Sequence, residues 1–102
     1  MWQVVICSFL SGVFIANGVP HFVKGVTGEK FFTPFNRKEF SSARTNAMFG
    51  VANFIIGGIF LYFGHIDTHV LAAGVAFAVA VAFIATSNSI IFTRRLAEKA
   101  KK

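Results

Sequence analysis

The stretch Ile15-Ala16-Asn17-Gly18-Val19-Pro20-His21-Phe22 interrupts a hydrophobic run that is otherwise long enough to cross a bilayer. Pro20 lacks the backbone donor that would bond the carbonyl of Ala16, and its ring crowds that carbonyl. The sequence therefore predicts a first helix that kinks or breaks near Gly18 and Pro20. Because lipid cannot supply hydrogen bonds to freed backbone groups, this side of the helix is expected to face protein or water.

Three long stretches of the chain, 2–23, 46–66 and 69–92, are free of Lys, Arg, Asp and Glu. Hydrophobic residues make up 55% and charged residues 14% of the 102 positions, whereas charged residues are about 25% of a soluble domain. Each stretch has the ~20 residues that a helix needs to cross a ~30 Å hydrocarbon core. We predict an all-α membrane protein with three transmembrane helices at these positions, forming a single integral membrane domain over 1–102 with a basic tail at 93–102.

All ten Lys and Arg residues lie in the loop 24–45 or in the tail 93–102. Basic residues mark the cytoplasmic side of membrane proteins. The expected location is a bacterial cytoplasmic membrane, with the N-terminus outside and the C-terminus cytoplasmic, which places Trp2 and Tyr62 together at the outer interface. The net charge of +6 then indicates contact with anionic lipid at the cytoplasmic face, and not with nucleic acid.

The loop 24–45 mixes aromatic and basic side chains, a composition that suits lipid headgroups. These side chains are Phe31, Phe32, Phe35, Phe40, Lys30, Arg37 and Lys38. We predict an interfacial cytoplasmic loop that is extended or partly helical. Two roles stay open for it, a lipid anchor and a lid over a polar site. Ser41 or Ser42 is the predicted N-cap of the second helix.

Small and amide residues recur along the spans at spacings that allow close helix packing. The second span has a heptad seam of Asn46, Gly50, Asn53, Gly57 and Gly64, and such residues bring backbones together and form interhelical hydrogen bonds. The first span has a stripe of Ser8, Gly12 and Ala16, and the third has two small-residue faces, Gly74, Ala78, Ala82, Thr86 and Ala72, Ala76, Ala80. Two faces on one helix predict neighbours on two sides. We therefore expect a homo-oligomer whose axis lies along the membrane normal.

Polar residues from all three spans fall in the cytoplasmic half of the membrane. Asn17 and His21 share one face of the first helix because they are four residues apart. At ~1.5 Å rise per residue, the second and third spans place polar side chains at the same depth. The candidate ligand- or ion-binding residues are Asn17, His21, Asn53, Thr86 and Asn88, with His21 as the titratable member. The alternative is that these side chains only join neighbouring helices.

The turn between the second and third spans reads Gly64-His65-Ile66-Asp67-Thr68-His69. His65, Asp67 and His69 are metal-capable groups, but three such residues in one turn are a weak motif. Helix ends explain the turn equally well, with Gly64 as the C′ residue of the second helix and Asp67 or Thr68 capping the third. We predict no metal site and no cofactor.

The function that these features favour is a homo-oligomeric channel or small transporter for an ion or small polar solute. The alternative is a non-catalytic accessory or assembly subunit of a larger membrane complex, in which the same polar residues only hold helices together. A membrane enzyme is least favoured, because the spans contain no carboxylate and no nucleophile paired with a base. We therefore expect that the chain is not an enzyme.

Overall fold

The computed structural model describes the backbone of residues 1–33 and 36–101, and side chains within those ranges except at 32, 36–39 and 101. Its elements are α1 (Trp2–Val26), β1 (Phe31–Thr33), β2 (Asn36–Ser41), α2 (Ala43–Phe63), a 3-10 turn (Ile66–Thr68) and α3 (Val70–Lys101). All three α-helices are long and apolar enough to cross a membrane. The predicted membrane fold with three spanning helices is confirmed. Several residues of the predicted aromatic and basic loop, among them Phe35, Arg37 and Lys38, have side chains outside the described residues.

The first helix runs through Pro20 as one uninterrupted α-helix from Trp2 to Val26. Of the two predicted alternatives, a kink or a break, the structure excludes the break. Packing on both sides of the proline explains the continuity. Gly18 lies against Asn53 and the carbonyl of Gly50, and His21 is anchored to Asn46, so the lost backbone hydrogen bond does not unwind the helix.

The helices α1 and α2 are antiparallel and meet along a seam of small residues. The predicted seam on α2 is buried at all five positions, while the opposite face, with Met48, Ile55 and Ile59, is exposed. On α1 the matching positions are Ser11, Gly18 and Gly25, also seven residues apart. The Ser11 hydroxyl donates to the Gly57 carbonyl at 2.8 Å. Close backbone contact therefore extends along the whole helix pair.

The helix α3 runs parallel to α1 and packs on a different side of it. A Cβ added to Gly12 would lie 2.8 Å from both the Ala80 Cβ and the Phe77 carbonyl oxygen, so the stripe of Ser8, Gly12 and Ala16 is the contact face for α3. Ala76 and Ala80 are buried there. In the described part of the chain, α2 and α3 pack chiefly against α1 and little against each other. The first helix is thus the central element of the fold.

The molecule has two distinct ends. At the turn end, the Gln3 amide donates to the Phe63 carbonyl at 2.8 Å. The other end, here called the hairpin end, holds an antiparallel hairpin in which Phe31 pairs with Ser41 and Thr33 with Asn36. It also receives both segments that contain the Lys and Arg residues.

The residues predicted at the two ends of α2 lie there in the structure. The N-cap of α2 is Ser42, whose Oγ accepts from the Thr45 N–H at 3.1 Å, so that prediction is confirmed. Gly64 follows the last helical residue, as predicted, but as the C-cap and not as C′. Its N–H still bonds the Phe60 carbonyl, which keeps Gly64 right-handed at φ −78°, and the left-handed residue is His65 at φ 51°.

Candidate functional site

The most buried polar cluster of the described residues lies at the hairpin end and is centred on His21. The imidazole is 3% exposed, and its Nδ1 lies 2.9 Å from the Asn46 Oδ1. An amide oxygen only accepts hydrogen bonds, so the hydrogen of this bond belongs to Nδ1. Asn46 therefore fixes both the orientation of the ring and the nitrogen that carries the hydrogen.

The Asn46 amide nitrogen binds the base of the hairpin. It donates to the carbonyls of Phe31 at 3.0 Å, Ser41 at 3.1 Å and Ser42 at 3.0 Å. These carbonyls stand where β1 begins, where β2 ends and at the cap of α2. We call His21, Asn46 and these three carbonyls the hairpin latch, because one amide joins α1, α2 and both strands.

Hydroxyl and aromatic groups seal the hairpin latch from solvent. Beside it, the hydroxyls of Thr33 and Ser41 share a buried hydrogen bond of 2.5 Å across the hairpin. The His21 ring makes edge-to-face contacts with Phe49, Phe31 and Phe92, at centroid distances of 4.8, 5.5 and 6.0 Å. Because Phe92 belongs to α3, all three helices contribute to this enclosure.

A second polar pair joins α1 to α3 on the turn-end side of the hairpin latch. The Asn88 Nδ2 donates to the Asn17 Oδ1 at 3.3 Å, and the pair is partly buried. Next to it lies an open groove of about 370 Å³ between Ala16, Val19 and Pro20 on α1 and Ala85, Asn88 and Leu96 on α3. Ala16, whose carbonyl has no donor from Pro20, is a residue of the wall of this groove. We call it the α1–α3 groove.

The two remaining candidate residues bond to their own helices. Asn53 is buried, and its Nδ2 donates to the Phe49 carbonyl at 2.8 Å. Thr86 is exposed, and its hydroxyl donates to the Ala82 carbonyl at 2.9 Å. Positions two apart on a helix differ by about 200°, so Thr86 and Asn88 point to different sides of α3. The structure thus joins His21 to Asn46 and Asn17 to Asn88, but it does not gather the five candidate residues into one site.

The turn residues His65, Asp67 and His69 do not form a metal cluster. Among the described residues, no group of three or more His, Cys, Asp or Glu side chains is placed to hold a metal ion. The Thr68 hydroxyl donates to the His65 carbonyl at 2.7 Å, and the His69 Nδ1 lies 3.1 Å from the same hydroxyl. These contacts shape a connection between α2 and α3.

Asn46 was predicted in the helix seam and at the depth of the other polar residues, but its bonds to the hairpin were not foreseen. Its partners there are backbone carbonyls, which any residue type supplies, so the side chains of 31 and 41 do not reveal them. The one available sign was its position four residues after the predicted cap Ser42, because an amide there reaches the carbonyl that precedes the helix. Ser8, predicted as part of a packing stripe, is a fully buried hydroxyl without a hydrogen-bond partner among the described residues.

Comparisons with protein-family models, with curated proteins and with solved structures find no match to this chain.

Proposed function

We propose that the chain is the subunit of a homo-oligomeric channel or small transporter, which passes an ion or small polar solute across the membrane. The observation that supports this proposal is an uncovered stripe on α3, formed by Gly74, Ala78, Ala82 and Thr86, all exposed. No described atom lies within 4 Å of a Cβ built on Gly74. We call this the exposed α3 stripe.

The exposed α3 stripe has the composition of a contact surface between helices. Glycine and alanine let backbones approach closely, which is how helices associate in lipid without a hydrophobic driving force. The equivalent stripe on α1, with Gly12, is already covered by α3 of the same chain. A second copy would cover the stripe on α3 in the same way.

Three or more copies around an axis would place their exposed α3 stripes around a shared path. Thr86 is the polar residue of the stripe, and it lies in the hairpin-end half of α3. The hydroxyl oxygens of Thr86 from each copy would therefore line the path at this depth. A neutral oxygen lining suits a monovalent cation or an uncharged polar solute. Asn17, His21 and Asn88 then keep the helices in place around the path, whereas Asn53 bonds to its own helix.

One observation favours a second candidate function, an accessory or assembly subunit without transport. His21, Asn46 and Asn53 direct hydrogen bonds to partners within the chain. Polar groups that bond within the chain stabilise its fold, and fewer hydrogen-bonding groups then remain to bind a solute. In this case the exposed α3 stripe would contact another membrane protein instead of lining a path.

Gly74→Leu is expected to abolish self-association, because a leucine would hold the backbones of two copies apart at the stripe. The matched control is Gly58→Leu on α2, since no described atom lies within 4 Å of a Cβ built there either. Light scattering in mild detergent measures the oligomeric state of both variants. A monomeric wild-type chain, or equal effects of the two substitutions, would contradict the proposed assembly.

Thr86→Val is expected to lower solute flux about tenfold or more while the oligomer stays intact, because a methyl group replaces the hydroxyl that faces the path. Val is close in shape to Thr, so packing changes little. The measurement is ion or solute flux in liposomes that contain the purified protein, with Val79→Leu, an exposed change outside the stripe, as control. An oligomer that passes neither monovalent ions nor small polar solutes would favour the accessory function.

A further inference from the structure

The α1–α3 groove opens along one side of the helix pair, so in a bilayer its open side faces lipid. The register of the two helices follows from the Asn17–Asn88 pair, which places Thr93 level with Phe22 and Leu96 level with Gly25. The groove therefore extends from the middle of the span towards the end of α1. Leu96, the lining residue nearest that end, lies close to the level of Lys24, where the basic loop starts.

The polar lining residues of the groove lie towards the hairpin end. With this register the two deepest lining residues, Ala85 and Ala16, are apolar. The hydroxyl groups of Ser89 and Thr93 lie nearer the hairpin end, among apolar residues such as Val19 and Leu96. Counted along α1, these two hydroxyls lie roughly 3–9 Å below the level of Lys24. The ester carbonyls of a phospholipid occupy this layer, just inside the headgroups, and they are acceptors for hydroxyl groups.

The charge near the hairpin end of the groove is mostly positive. All ten Lys and Arg residues lie in the two segments that meet at the hairpin end, whereas the acidic residues of those segments are Glu29, Glu39 and Glu98. A cluster of basic residues beside a span attracts anionic headgroups and favours them over zwitterionic ones. The groove and the charge are thus complementary to one kind of molecule.

We propose that the α1–α3 groove binds one anionic glycerophospholipid, with an acyl chain along Ala16 and Ala85 and its ester groups at Ser89 and Thr93. The exposed α3 stripe does not line this groove. The lipid site and the proposed path therefore use different residues of α3.

Fluorescence quenching tests the proposal with tryptophan reporters in a Trp2→Phe background. Leu96→Trp places the reporter at the groove, and Met48→Trp places it at a similar depth on the exposed face of α2. Both native side chains are well exposed, at 48% and 64%. The protein is reconstituted in phosphatidylcholine with a small fraction of phosphatidylglycerol brominated on its acyl chains.

We expect the Leu96→Trp reporter to be quenched about threefold more than the Met48→Trp reporter, because the groove concentrates the anionic lipid. Adding Ser89→Ala and Thr93→Val should remove this difference while helix content, measured by circular dichroism, stays unchanged. Equal quenching of the two reporters would overturn the proposal. So would equal quenching by brominated phosphatidylcholine, or protection from every brominated lipid, which would mean that a second copy covers the groove.

Discussion

Replacing Asn46 by alanine will release the hairpin from the helices and destabilise the protein more than any other single polar substitution in the described part of the chain. The change removes the contact to His21 and the bonds to three carbonyls. A lost hydrogen bond contributes about 1 kcal/mol, and a buried group left unpaired costs roughly 1–3 kcal/mol, so we expect a loss of about 3 kcal/mol.

Asn53→Ala is the matched control, since Asn53 is also buried on α2, seven residues further along the same seam. Its described bond goes to Phe49 of its own helix, and we expect its removal to cost about 0.6 kcal/mol, the usual size in membrane helices. Unfolding in bicelles gives both free energies, and amide hydrogen exchange over 31–41 reports release of the hairpin. Similar losses for the two variants, with hairpin exchange unchanged, would show that the hairpin latch does not hold the hairpin.

The second large effect is expected for Gly50→Ala, which adds one methyl group at the centre of the α1–α2 seam. That Cβ would lie 2.7 Å from the Phe22 nitrogen and 2.8 Å from its Cα. Backbone atoms cannot move aside as a flexible side chain can, so α1 and α2 must separate. Overpacking of this kind costs roughly 1–3 kcal/mol, and we expect the upper end of that range.

Gly58→Ala provides a control of opposite sign. It is the same substitution on the same helix, at a position with no described atom within 4 Å of the added Cβ. Alanine is a better helix former than glycine by about 1 kcal/mol, so this variant should be as stable as the wild type or more stable. The measurement is the free energy of unfolding of both variants in bicelles, compared with that of the wild type. A Gly50→Ala protein as stable as Gly58→Ala would refute the close approach of the two helices.

The parts of the fold that depend on one helix at a time could be predicted from the sequence. The seam on α2 was predicted because five small or amide residues recur in a heptad pattern, and all five are buried. The matching positions Ser11, Gly18 and Gly25 on α1 escaped notice because a second stripe, with Gly12, overlaps them. A pattern on one helix shows that a neighbour approaches, but it does not show which neighbour.

The candidate site was predictable only in part, because its geometry depends on pairings between distant residues. Equal depth suggested that the polar side chains of the three spans would converge. Depth gives only the position of a residue along the membrane normal. The direction in which a side chain points around its helix is a separate quantity, and it differs between Thr86 and Asn88. The hairpin was also beyond prediction, because β1 has three residues and its anchoring depends on carbonyls presented to Asn46.

The central position of α1 has a consequence for how the chain is made. Ribosomes synthesise α1 before α2 and α3, so both of its small-residue faces stay uncovered until the later segments enter the membrane. Errors in biogenesis should therefore concentrate in this interval, when those faces are exposed to chaperones, insertases and membrane proteases.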